Sequence, residues 1–192
     1  VNLPYQGGAT RTPEFLALNP NGHIPVVVDQ RPAEQGGEVV VWESMACALY
    51  VARHHGQPDG ISITPANPRE DADALRWSFW VVNEAEADAL TVLMHRMVMP
   101  AERRKPELAE AAERRLTVPF RVMEQHLERQ QATGAAYLAA ERFTVADLCV
   151  ASVLNWARPA HSLMAAYPLT HQWIVRCMER PAQLAVKALG RG

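Results

Sequence analysis

Apolar and polar positions follow two rhythms along this chain. The first part is short-period and rich in turns. Ile24-Pro25-Val26-Val27-Val28 is a β-branched run between Asn21-Gly22 and Asp29, and Val39-Val40-Val41-Trp42 is a second one. Residues 30–38 join them and carry Pro32 and Gly36-Gly37. This order predicts a β-hairpin with a loose loop. Ahead of it, Thr12-Pro13-Glu14-Phe15-Leu16 predicts one or two helical turns with Pro13 at the first position, ended by Asn19-Pro20.

From Glu43 the period lengthens. Met45, Leu49 and Ala52 recur at helical spacing and predict an amphipathic helix ending near Gly56. Residues 57–68 hold three prolines and one glycine and read as a linker. Asn67 then caps a helix with Pro68 first and Glu70 three residues after the cap. No glycine or proline interrupts it before Pro100, so it can run ~45 Å at ~1.5 Å per residue. Leu108, Ala112, Leu116, Phe120, Met123 and Leu127 form the apolar stripe of the next helix, with Pro119 inside as an expected kink. Phe143-Thr144-Val145-Ala146-Asp147-Leu148 is a helix start. Thr144 caps, Asp147 reaches back to the Thr144 amide, and Phe143 and Leu148 hold the staple positions. On that reading Asp147→Ala costs about 0.5–2 kcal/mol of stability. Tyr167-Pro168 and Arg180-Pro181 open two further helices.

Composition narrows the class. The 192 residues are 48% hydrophobic and 21% charged with a formal charge of −2, so no electrostatic drive toward nucleic acid or an anionic membrane is expected. No run of ~18 apolar residues suggests a membrane span. The three cysteines, Cys47, Cys149 and Cys177, fall in apolar helical contexts without a C-x-x-C or zinc pattern. They read as reduced core thiols of a cytoplasmic protein, with no metal. A two-stranded sheet is marginal in water. The abrupt start at Val1-Asn2-Leu3 therefore carries the expectation that a strand and helix of the same sheet precede residue 1.

Three places carry candidate chemistry. Pro25 opens a strand without a donor to the ladder, which fits an edge strand or a special backbone geometry. Glu43-Ser44 sits where strand meets helix, and unpaired amides and the helix dipole favour an anion there; on the residues alone, a plain cap with a stabilising glutamate is the better reading. The end of the long helix, residues 90–99, is rich in methionine, which suits either packing or an adaptable apolar surface.

These segments resemble the glutathione S-transferases. Asn19-Pro20-Asn21-Gly22-His23-Ile24-Pro25-Val26-Val27 is similar to the family's N-P-x-G-x-V-P-x-L segment. Residues 43–52 are similar to its E-S-x-A-I-x-x-Y-L-A segment, residues 143–147 to its sixth-helix cap, and Arg180-Pro181-Ala182 to the start of its terminal helix. The resemblance implies an α/β plus all-α architecture. A partial thioredoxin-like glutathione-binding domain would span 1–56, a linker 57–68 and an all-helical domain 69–192. Val1 to Tyr5 would belong to its second strand. It implies a cis Ile24–Pro25 bond, with the Ile24 main chain pairing the cysteinyl unit of glutathione. Ser44 would hold the γ-glutamyl carboxylate, Glu43 the ammonium and His23 the glycine carboxylate. Met94 and Met97 would line the pocket for an electrophilic apolar co-substrate. The implied activity is transfer of glutathione thiolate to that electrophile by a homodimer. Some relatives instead serve in binding or assembly without catalysis. No thiol-activating residue is found: Tyr5, Cys47 and Ser44 are poorly placed for that task.

Overall fold

The computed structural model describes residues 8–56 and 62–189. The chain divides into two units, Val1–Gln57 and Pro58–Gly192. The expected strand residues Val1 to Tyr5 lie outside the described residues.

In the first unit, α1 (Pro13–Leu18) starts at Thr12, whose hydroxyl accepts the Phe15 amide at 3.3 Å. The hairpin follows as β1 (Val26–Asp29) and β2 (Val39–Trp42), antiparallel, with Val26 opposite Trp42 and Asp29 opposite Val39. Helix α2 (Ser44–His55) turns back along it. Its buried face centres on Cys47 and Ala52, and the Cys47 thiol donates to the Val41 carbonyl at 3.3 Å.

The second unit is helical. Its long helix runs from Pro68 to Val98, but not as one regular α-helix. α3 (Pro68–Val81) passes through a π-helical turn at Val82–Glu86 into α4 (Ala87–Leu93), and a second π turn covers Met94–Val98. The Asn67 side chain accepts from the Arg69 and Glu70 amides, as its position predicts. Glu70 instead reaches the Ala66 amide at 3.0 Å and pairs with Arg142 at 2.6 Å. Arg142 also donates to the Ser62 and Thr64 carbonyls, and the Val145 amide donates to the Ile63 carbonyl. The stretch from Ser62 is thereby bonded to the start of the helix that follows residue 144.

Helix α5 (Pro106–Ala132) buries Ala112, Leu116, Phe120, Met123 and Leu127, with Pro119 also inside. Leu108 departs from the expected stripe. It is 43% exposed, and Ala109 takes the inward position one residue on. Helix α6 (Val145–Leu154) buries eight of its ten residues. A helix apolar on all sides belongs at the centre of its unit. α7 (His161–Ala166), which no sequence signal announced, α8 (Pro168–Met178) and α9 (Pro181–Leu189) complete the unit.

Asp147 does more than close a capping box at the start of α6. It is fully buried. One oxygen accepts from the Thr144 amide and hydroxyl at 2.9 and 3.1 Å, and the other from the Leu138 amide and the Trp173 indole at 2.9 and 3.1 Å. Burial pushes its carboxyl above the usual range against those four donors.

Candidate glutathione site

Asn19 organises one end of the hairpin. It is buried, its Nδ2 donates to the His23 carbonyl at 2.7 Å, and its Oδ1 accepts the Asn21 amide at 3.0 Å. Its own carbonyl accepts the Gly22 amide at 2.9 Å. Gly22 has φ of 62°, and a Cβ there would lie 2.6 Å from Arg11 Nη1 and 2.8 Å from the Thr10 carbonyl. Only glycine fits this turn. The turn delivers His23, Ile24 and Pro25 to the first residue of β1, with the Ile24–Pro25 bond cis.

Across the hairpin the chain leaves β2 at Trp42, the partner of Val26. The ladder ends there: Ile24 and Pro25 come just before β1, and Glu43 and Ser44 just after β2. His23, Ile24, Pro25, Glu43 and Ser44 are all exposed, so the five residues singled out in this unit share one open end of the hairpin. Glu43 has φ of 73° and ψ of 124°, a left-handed backbone on a residue with a Cβ. Such a conformation costs about 1–3 kcal/mol and persists where surrounding structure imposes it, often at ligand sites. It swings the chain so that Ser44 opens α2, and no acidic side chain occupies the first turn of that helix. The positive end of its dipole and its first amides are left for an anion.

The opposite end of the hairpin holds a cluster that the sequence reading missed. Oδ2 of Asp29 accepts from the Tyr50 hydroxyl at 2.7 Å, Arg31 Nε at 2.7 Å and His55 Nε2 at 2.8 Å. The Tyr50 bond first, then that of His55, hold its carboxyl down at about 2. Aspartate ends β1 and Tyr50 lies six residues into α2, so the cluster fastens strand to helix. Tyr50 belongs to the motif quoted above; its partner Asp29 carried no signal.

This arrangement has known counterparts. The profile of the glutathione S-transferase N-terminal domain matches residues 2–54, and that of the C-terminal domain matches residues 86–181. The disulfide-bond oxidoreductase YfcG of Escherichia coli (strain K12) is 31% identical over 178 residues, 92% of this chain and 76% of its own. The chain belongs to the glutathione S-transferase family. Glutathione S-transferase 3 of Zea mays is 32% identical over 183 residues, 91% of this chain and 75% of its own. Among solved structures, glutathione S-transferase-I bound with lactoylglutathione superposes with a TM-score of 0.74 at 26% identity, covering 98% of this chain and 85% of that one. The fold is that of the family, a thioredoxin-like domain with a small sheet followed by an all-helical domain.

Met94 and Met97 belong to the second unit, on the π turn that ends the long helix, with Met97 well exposed. Side chains hold that turn, among them Arg96, which pairs with Glu113 at 2.8 Å. His95 Nδ1 accepts the Lys105 amide at 3.2 Å, and Arg104 Nε donates to the Met99 carbonyl at 2.7 Å. The first gives His95 a structural task. All three cysteines are buried and unpaired, and burial raises the pKa of each thiol.

Proposed function

We propose that this chain binds glutathione at the open end of its hairpin and transfers the thiolate to an electrophilic, largely apolar small molecule. One observation carries the reading: the left-handed Glu43 that puts Ser44 at the head of α2, at the same end of the hairpin as Ile24. The Ile24 main chain pairs with the cysteinyl unit as one strand pairs with another. The Ser44 amide and hydroxyl hold the γ-glutamyl carboxylate, Glu43 its ammonium, and His23 the glycine carboxylate. Met94 and Met97 offer the flexible apolar surface for the co-substrate. None of the chain's residues is nominated to activate the thiol. The site of action is the cytoplasm, where glutathione is reduced and buried free thiols persist.

Calorimetry tests the site. Ser44→Ala should weaken glutathione binding by about 1–3 kcal/mol, the loss of a hydrogen bond to a charged group, with the melting midpoint little changed. Unchanged affinity would remove Ser44 from the site. Conjugation to a chloro-nitrobenzene substrate tests the transferase step.

The likeness to a disulfide-bond oxidoreductase favours a second reading, reduction of a small disulfide. Two glutathiones would then supply both electrons, releasing two thiols and glutathione disulfide. With all three buried, none of Cys47, Cys149 and Cys177 is placed to enter that exchange. Turnover of a model disulfide without conjugation would select it.

We further propose a homodimer. Leu75, Phe79 and Val82 recur at helical spacing on the long helix and are all exposed, Phe79 at 65%. A stripe of this kind gains by meeting its copy. Trp77 and Val81 of the same helix are instead buried.

A further inference from the structure

Helix α5 and the short helix α7 line an open cleft of about 320 Å³ in the second unit. Its floor is apolar and fixed. Leu163 is buried, Ala166 lies one turn further along α7, and the Tyr167 ring follows. Two contacts hold that ring in place. The Tyr167 hydroxyl donates to the Thr117 carbonyl at 3.0 Å, and the ring lies 5.8 Å from that of Phe120.

The rim carries three charges from one face of α5: Glu110, Glu113 and Arg114. Arg96 already neutralises Glu113 at 2.8 Å. Glu110 and Arg114 are exposed, and neither side chain has an ion pair or hydrogen bond among the described residues. A glutamate four places ahead of an arginine can pair along a helix, but such exposed pairs are weak, and here the pair is not made. The Ser162 hydroxyl, on the α7 side of the cleft, also has no partner among the described residues. One open carboxylate and one open guanidinium over an apolar floor select a ligand by charge. A simple anion would sit against Glu110, and a simple cation against Arg114. A ligand with both charges on neighbouring atoms of an apolar body satisfies both.

We propose that this cleft binds a free α-amino acid with an apolar side chain. Its ammonium meets Glu110, its carboxylate meets Arg114 and the Ser162 hydroxyl, and its side chain lies on Leu163, Ala166 and Tyr167. The volume suits a ligand of that size, since small-molecule sites begin at about 300 Å³. The cleft lies within the second unit, and the proposal does not rest on the residues assigned to glutathione.

The full chain is titrated with L-phenylalanine, and binding is followed by ligand-observed NMR. Hydrocinnamate, which lacks the ammonium, and phenethylamine, which lacks the carboxylate, are the controls. Phenylalanine should saturate, and each control should bind at least about tenfold more weakly. Glu110→Gln should weaken phenylalanine by about tenfold and leave hydrocinnamate unchanged. Arg114→Gln should weaken phenylalanine by about tenfold and leave phenethylamine unchanged. Ala166→Trp fills the cleft from an exposed position and should abolish binding of all three compounds. The melting midpoint of each variant reports that it is folded. No saturation by about 10 mM phenylalanine would overturn the proposal. So would equal affinity for either control, a glutamine variant that weakens all three compounds alike or none, or undiminished binding to Ala166→Trp.

Discussion

Asp147 is where local reading fell short. The capping motif named Thr144 and Asp147 correctly because a cap is decided within four residues. It missed the Leu138 amide and the Trp173 indole, which arrive from elsewhere in the chain. Asp147→Ala therefore leaves buried donors on three residues without an acceptor and should cost about 3 kcal/mol or more, above the expectation for a cap alone. Thermal unfolding checks the size, and unchanged glutathione affinity checks that the role is structural. Asp29 allows a test by pH. Its folded pKa, about 2, lies below the unfolded value. Its contribution is thus fully present above pH ~4 and is lost as pH falls toward 2. Tyr50→Phe removes the largest contributor to that depression. Urea titrations from pH 2 to 5 should show wild type more stable than the variant at the upper end. The two curves should converge at the lower end.

Among elements, starts were more legible than surroundings. Pro13, Pro68, Pro168 and Pro181 each occupy the first helical position that sequence assigned them. The π turns at 82–86 and 94–98 had no local signature, because a π turn inserts one residue without glycine or proline. The start of α8 had a hidden requirement. Pro168 needs no acceptor, but the Leu169 and Thr170 amides are held at 2.9 and 2.8 Å by Glu124 of α5, which also takes the Thr170 hydroxyl at 2.7 Å. A cap supplied from 45 residues away cannot be read from spacing. Glu124→Ala should destabilise by about 1–3 kcal/mol, and Glu124→Gln by less, since an amide oxygen can still accept. Chemical denaturation of the two variants gives the ranking.

For the whole molecule, the motifs of the hairpin end were legible because a turn that admits only Gly22 and a strand–helix junction leave little freedom in sequence. The left-handed backbone of Glu43 was not, since no glycine or asparagine marks it. Self-association belongs to this scale. Wild type should scatter light as twice the chain mass at micromolar concentration, and Phe79→Glu should halve that value while keeping its circular dichroism. A monomeric wild type would remove the homodimer. The buried thiols have a further consequence. A catalyst that hands a nucleophile to reactive electrophiles risks alkylating itself. Here Cys47, Cys149 and Cys177 are shielded and held protonated, and thiols are alkylated as thiolates. Iodoacetamide should add no mass to the folded chain and three adducts once denaturant is present. If the chain performs the proposed transfer, such shielding would let it outlast its own reagents: the sulfur that reacts would come in with the ligand and leave with the product.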